Sequence, residues 1–368
     1  MKILITGSSG FVAKNLIFHL GENKNNLIYR YSRNLGLKNL KKFTKDCDIV
    51  YHLASKIRSN KKKNFKKNNT ELTENLCSFL KLNNNKCTII YSSTSKINDN
   101  SIYAKTKKES EKILLNHART NRSKIYILRL PNIFGKWSKP NHNSFLATIC
   151  YNITRDLKLK KINKLGKVNL IYIDNVINIL LEFQKKNILR KNIINIKPKI
   201  KITIPKLVNR IKDIWTKHKN GEVINSSNEF DKNLYSTIIS YLPKNRFINT
   251  KEKHEDKRGF FSELVKSKSS GQFNLFTILP GKSRGAHYHH SKHEKFFLIS
   301  GKAIFIKKNL LSGETINFKL NEKKIVEVLS VPGWWHEVKN TSNKPAYFLL
   351  WSNEIFNAKK HDTYKIKL

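Results

Sequence analysis

Apolar residues in the first two thirds of the chain alternate between short continuous runs and helical spacing. Residues 2–6 are such a run, and Val12, Leu16 and Leu20 follow at intervals of four. This pattern predicts a strand, a turn and a helix. The alternation continues with a strand at 27–31, a region at 46–55 taken as a fourth strand running into a loop, and a helix over 71–82 with Leu72, Leu76, Phe79 and Leu80 on one face. An apolar strand at 87–94 and a helix reaching about Ala118 come next. A strand at 168–172 then passes into a helix for which Asp174 is the expected N-cap. Further helices are expected over 203–218 and about 230–241. Strands alternating with helices predict a parallel α/β sheet. Between Pro243 and Asp256 the periodicity lapses and charge is dense, which places a domain boundary there: 1–245 and 246–368. Beyond it, short β-like runs at 272–279, 295–299, 302–307, 324–329 and 346–351, punctuated by Gly, Pro and Asn, predict a small all-β barrel.

A length of 368 residues agrees with two domains, and an apolar content of 39% is enough for two cores. No apolar run is long enough to cross a bilayer. The first strand starts beside Met1, so a cleavable presequence is not expected. The four cysteines have no CxxC spacing and read as reduced core residues of a cytoplasmic protein. The formal charge of +46 invites a nucleic-acid reading, but the lysines are spread along the chain. The one dense basic run is at 61–67, and nothing resembles a nucleic-acid module, so nucleic acid is not an expected partner. A basic field instead favours anionic substrates such as nucleotide diphosphates.

The first turn reads Gly7-Ser-Ser-Gly10-Phe11-Val12-Ala13. Its glycines let backbone N–H groups approach a pyrophosphate at a helix N-terminus. The second strand lacks the acid that would bind ribose hydroxyls. Arg30 and Arg33 stand there instead and suit a 2′-phosphate, hence NADP(H). His52-Leu53-Ala54 follows the next strand, and Ser93-Thr94 ends the strand after that. Tyr103 and Lys107 are four residues apart, on one helix face, where a phenol can exchange a proton with a carbonyl oxygen as hydride moves. The loop at 129–144 carries Arg129, Asn132, Lys136 and Asn143, cations and amides suited to a nucleotide sugar. In this order the motifs resemble the extended short-chain dehydrogenase/reductase family, over about 1–245. The resemblance implies a Rossmann-type sheet with Tyr103 and Lys107 catalytic and Thr94, in preference to Ser93, as hydroxyl partner. It implies Gly7, Gly10, Phe11, Val12, Arg33, His52, Leu53, Ala54 and Lys107 around the cofactor. Many members carry Ser where Thr94 stands.

The second domain holds the pattern Gly281, five residues, His287-x-His289, four residues, Glu294, six residues, Gly301, then Gly333-x-x-His336-x-x-x-Asn340. Three imidazoles and a carboxylate, without thiolates, suit an open transition-metal site more than a closed structural zinc site. The pattern resembles the two motifs of the cupin family of metal-binding β-barrels. Asp256-Lys-Arg258-Gly-Phe-Phe-Ser-Glu263 is similar to a nucleotide-contacting segment of deoxysugar 3,5-epimerases, which places Arg258 on substrate. A reductase joined to a metal cupin resembles the CapF family of capsular polysaccharide synthesis. That resemblance implies two reactions on a UDP-sugar. The cupin epimerises C3 of a UDP-2-acetamido-2,6-dideoxy-4-hexulose, and the reductase reduces C4 with NADPH to UDP-2-acetamido-2,6-dideoxy-L-talose. Zn2+ and a homodimer are also implied. Tyr288, His290 and Glu337 are candidates for the epimerase base. The chain departs from the family in placing Pro332 and Gly333 side by side, with Trp334 and Trp335 next to the last ligand. Two alternatives stand: a reductase whose cupin is only a dimerisation module, and a sugar-sensing or nucleic-acid-binding regulator.

Overall fold

A computed structural model of the chain describes residues 1–57, 65–159, 166–185, 192–359 and 361–366. Residues 61–64 of the basic run lie outside the described residues. Contacts divide the chain into two units, Met1–Lys212 with Asn233–Pro243, and Asp213–Lys232 with Lys244–Leu368.

In the first unit, β1 (Lys2–Thr6), β2 (Leu27–Tyr31), β3 (Ile49–His52), β4 (Thr88–Thr94), β5 (Ile125–Leu130) and β8 (Ile193–Asn195) form one parallel sheet, ordered β2-β1-β3-β4-β5-β8. Successive strand residues face opposite sides, and here both sides are covered. Ile3, Ile5, Tyr51, Ile90 and Leu128 pack with Leu16, Val176 and Leu180. Leu4, Val50, Ile89, Tyr91 and Ile127 pack with Leu40, Leu76, Leu80 and Leu114. The strands therefore read as continuous apolar runs. Thr6, His52 and Thr94 end their strands at the carboxyl edge, where open α/β sheets bind ligands.

Three sequence expectations need correction. The region at 46–55 contains the third strand, beside β1, not the fourth. The helix after β7 (Lys167–Tyr172) already starts at Ile173, so Asp174 lies in its first turn and pairs with Lys136 Nζ at 2.6 Å. The 129–144 loop contains a short strand, β6 (Asn132–Phe134), which joins β7 and β9 (Ile200–Thr203) in a second sheet.

The second unit is built of two antiparallel sheets. One is ordered β10-β11-β12-β19-β14-β17 and the other β16-β15-β18-β13-β20. These strands are β10 (His254–Asp256), β11 (Gly259–Ser267), β12 (Gly271–Ile278), β13 (Ser283–Tyr288), β14 (Glu294–Ser300), β15 (Lys302–Asn309), β16 (Thr315–Asn321), β17 (Glu327–Ser330), β18 (Trp334–Asn340), β19 (Ala346–Ser352) and β20 (Tyr364–Lys365). Alternate residues of both sheets, including Phe276, Ile278, Phe296, Leu298, Phe305, Val338 and Phe348, bury one core. Phe276 and Phe348 stack at 5.1 Å.

Candidate active site and metal centre

The sharp exit from β1 depends on Gly7. Its φ is +70°, and a Cβ there would lie 2.6 Å from Ala54 Cα. Only glycine lets the chain turn this closely against the loop after β3. Gly10 N–H donates to Gly7 O at 2.8 Å and leads into the helix Phe11–Gly21, whose N-cap residue offers no side-chain hydrogen bond. The first N–H groups of that helix thus lack a side-chain cap, and such a terminus attracts anions. Phe11 and Val12 pack partly against the core, and Ala13 is buried beneath the turn. Arg30, on β2, and Arg33, just beyond it, are both exposed, with Arg33 Nη1 3.4 Å from Asn68 Oδ1.

His52 takes a different place from the one expected. Its ring is buried, with Nδ1 2.7 Å from Thr6 Oγ1 and Nε2 2.9 Å from Thr73 Oγ1. It fastens β3 to β1 and to the helix Glu71–Leu82. Leu53 packs on the core, and Ala54 N–H donates to Thr6 Oγ1 at 3.3 Å. Burial, helped by the charge of Lys107, lowers the His52 pKa to about 3. An unfolded histidine titrates near ~6.5, so between those values the unfolded chain binds the extra proton. Stability from this group is therefore present above pH ~6.5 and is lost as pH falls towards 3, by about 2 kcal/mol at pH 5. Urea melts of wild type and His52→Asn at pH 5 and 7.5 are expected to show a smaller pH dependence in the variant; equal dependence would refute this.

The helix Ile102–Asn121 starts at Ser101, whose side chain accepts from Ala104 N–H at 3.1 Å. Tyr103 and Lys107 follow one turn apart. Lys107 is buried, donates to Ser92 O at 2.5 Å and lies 4.0 Å above the Tyr91 ring. Burial lowers its pKa to about 7, with Glu111 acting in the opposite direction. Burial raises the Tyr103 phenol, and a hydrogen bond with Ser55 opposes that rise. Thr94 is buried at the end of β4, where its Oγ accepts from Lys96 N–H at 3.1 Å.

Ser93 and Arg129 are brought together by a residue the motif reading missed. Ser93 Oγ donates to Glu111 Oε1 at 2.5 Å, and Arg129 grips the same carboxylate at 3.0 and 2.6 Å. Both candidate substrate contacts are thus committed to a buried ion network. Glu111 continues the face of Tyr103 and Lys107 by one more turn, and that spacing was the available signal. Glu111→Ala leaves the half-buried Arg129 without its carboxylate and is expected to lower unfolding stability by roughly 3 kcal/mol in a urea titration. A change below about 1 kcal/mol would assign the pair little weight.

The remaining candidates are scattered. Asn132 is exposed on β6, Lys136 is held by Asp174, and Asn143 Nδ2 lies 2.7 Å from His142 Nδ1. In the second unit, Arg258 pairs with Asp256 at 2.6 Å, and Arg284 reaches the same carboxylate at 3.2 Å.

The metal candidates converge. One ligand atom from each of His287, His289, Glu294 and His336 lies within 4.8 Å of the others. His287 on β13 is directly opposite His336 on β18. A bulge between Gly285 and His287, with Ala286 at φ +59°, sets the register there. His289 follows the end of β13, and Glu294 opens β14. Glu294 Oε2 is 3.3 Å from His289 Nε2 and 3.6 Å from His336 Nε2, while Lys292 Nζ lies 2.8 Å from Oε1. Burial disfavours the Glu294 carboxylate, but His289 and His336 hold its pKa well below the usual range. Burial lowers His287 to about 3, keeping it neutral as a metal ligand must be. Both His336 ring nitrogens are buried with no hydrogen-bond partner among the described residues. Such orphaned nitrogens beside a shared carboxylate fit a bound divalent cation.

A distant residue orients this group. Asp362 O meets His289 Nδ1, and the Asp362 carboxylate accepts the N–H groups of His290, Ser291 and Lys292 at 2.9, 2.7 and 2.8 Å. Burial opposes ionisation of Asp362, yet these donors hold its pKa far down. The adjacent Pro332-Gly333 turn still delivers His336, because Gly333 N–H bonds His289 O at 2.8 Å. Of the base candidates, Tyr288 packs against His290 and Tyr364, and Glu337 accepts from Ser283 Oγ at 2.6 Å.

A parallel sheet with a glycine turn and a Tyr-Lys pair at its carboxyl edge defines the nicotinamide-dependent, Rossmann-type class. The family model described as NAD dependent epimerase/dehydratase matches residues 3–196, and the polysaccharide biosynthesis C-terminal domain matches 254–364. A UDP-2-acetamido-2,6-beta-L-arabino-hexul-4-ose reductase of Pseudomonas aeruginosa is 35% identical over 364 residues, 99% of this chain and 98% of its own. The crystal structure of the capsular polysaccharide assembling protein CapF from Staphylococcus aureus superposes with a TM-score of 0.92 at 29% identity, covering all of both chains. A UDP-glucuronic acid 4-epimerase of Bacillus cereus shares the fold at a TM-score of 0.52 and 21% identity, over 59% of this chain and 84% of its own. The chain belongs to the NAD dependent epimerase/dehydratase family and, within it, to the two-domain CapF family.

Proposed function

We propose that the chain is a bifunctional nucleotide-sugar enzyme. Its second unit is a cupin that epimerises C3 of a UDP-2-acetamido-2,6-dideoxy-4-hexulose. Its first unit reduces the C4 ketone to UDP-2-acetamido-2,6-dideoxy-L-talose. The observation that carries this reading is the convergence of His287, His289, Glu294 and His336 in a chain that also holds Tyr103 and Lys107. The likeness to the Pseudomonas reductase over nearly the whole of both chains supports the substrate.

In the first unit, the Gly7–Gly10 turn and the helix it opens would hold NADPH, which would supply hydride for C4. Tyr103 donates the proton to the C4 oxygen, and Thr94 hydrogen-bonds the same oxygen. Lys107, one helix turn on, would supply positive charge near the phenol when protonated, which favours phenolate as the proton leaves. Arg33 would hold the 2′-phosphate of NADPH. In the second unit, His287, His289, Glu294 and His336 would hold a divalent cation such as Zn2+, which would supply Lewis acidity and fix the pocket. The C4 ketone acidifies the C3 proton, so a base at this site can remove it and a proton can return on the opposite face.

The test incubates the UDP-4-keto sugar with the metal-loaded protein in deuterated water without NADPH. Deuterium at C3, followed by NADPH consumption when the cofactor is added, is the expected result. Reduction without prior exchange would leave the second unit a structural module and overturn the bifunctional reading.

A further inference from the structure

Lys307 occupies a place where a lysine is rarely left. It lies on β15, directly opposite His336 on β18, and His336 is in turn opposite His287 on β13. These residues form one rung across three adjacent strands, and residues paired in a rung point to the same face, with Cβ atoms about 5 Å apart. That face is the interior. Phe305, two residues before Lys307, is fully buried in the core and stacks on His336 at 5.8 Å. Trp334, two residues before His336, has its ring 5.3 Å from Lys307 Nζ. Lys307 itself is only 9% exposed. Among the described residues, its ammonium has no hydrogen bond and no carboxylate partner. Lysine is seldom buried to this degree unpaired. The chain has 72 basic residues; the stem of this one is buried beside the metal group, while its Nζ, next to the Trp334 ring, keeps access to solvent.

Resting on the epimerase reading above, we propose that Lys307 is a catalytic residue of that reaction: its ammonium receives the C4 oxygen of the keto sugar as that oxygen becomes an enolate. In the step, the C3–H bond breaks, its proton passes through a base to water, and the electron pair moves into a C3–C4 double bond while the C4 carbonyl oxygen takes the negative charge. A proton returning to C3 on the other face restores the ketone, so nothing is oxidised or reduced. A fixed cation gains most when that charge develops, because the ketone in the ground state is neutral. The Trp334 ring beside the ammonium gives the apolar face of a sugar a surface to lie on. A diphosphate is also anionic, but it is charged before and after the reaction. A lysine that held it would act on binding and leave the chemical step alone.

The experiment measures C3 deuterium incorporation against substrate concentration in metal-loaded wild type, Lys307→Met and Lys307→Arg, with metal content of each preparation. The expected result is a fall in the maximal exchange rate of about 100-fold or more in Lys307→Met, with KM within a few-fold of wild type, full metal content and partial recovery in Lys307→Arg. Unchanged exchange overturns the proposal. So does a rise in KM alone, which would assign Lys307 to the diphosphate, or metal loss that accounts for the whole effect. Absence of exchange in wild type removes the epimerase reading itself, and this inference with it.

Discussion

Replacing Tyr103 with Phe is expected to lower NADPH-dependent reduction of the keto sugar by about 10²–10⁴-fold, the range for removing a positioned proton donor. KM for the sugar should change little, because the lost hydroxyl acts as charge develops on the C4 oxygen. The substitution should be structurally mild. Tyr103 lies on a helix already capped by Ser101 and anchored by buried Lys107 and Glu111, and the phenyl ring is kept. The measurement is single-turnover loss of NADPH absorbance on pre-epimerised substrate, with C3 exchange followed separately and expected to persist. Reduction within about threefold of wild type would remove Tyr103 from the role assigned to it.

His336→Ala is expected to abolish metal retention and to lower C3 exchange by at least about 100-fold, the upper end of what losing a ligand's own supporting partner does. The substitution deletes one member of the His287–His336 pair and leaves Glu294 with one imidazole neighbour instead of two. Chelator-treated wild type should show the same loss, and added Zn2+ should restore wild type but not the variant. Elemental analysis and exchange NMR read both quantities. Exchange that survives in metal-free protein would confine any metal to shaping the pocket.

Much of this was legible in the sequence, for reasons that also explain the gaps. The parallel sheet declares itself because β1, β3, β4 and β5 are buried on both faces and must be apolar throughout. The metal quartet is legible because three of its members fall within eight residues of one hairpin-like segment, and the fourth keeps a fixed distance from Gly333. By contrast, β11 and β16 escaped notice. Gly259–Ser267 opens with a charged turn and shows no clear apolar alternation, whereas Thr315–Asn321 does alternate, with Ile316, Phe318 and Leu320 between polar residues, but it is short and largely exposed. His52 carried a motif-based expectation of facing the cofactor. Its two hydroxyl partners, Thr6 and Thr73, are far away in sequence, and nothing local announces them. Ser93 and Arg129 looked like substrate contacts until Glu111 claimed both. Lys307 was invisible for a different reason: in so lysine-rich a chain, one more lysine on a strand carries no signal until the register shows which way it points.

The Asp362 anchor has a consequence for the order in which this protein matures. His289 receives its hydrogen-bond acceptor, and the turn after it receives its anion, from a residue about seventy positions later. During synthesis the first unit is complete long before that residue exists, and domains tend to fold as they emerge. The pocket of the metal candidates, however, cannot take its final shape until Asp362 has left the ribosome. Nascent protein therefore passes through a stage in which the first unit is complete while the four candidate ligands of the second still lack the contact that orients His289.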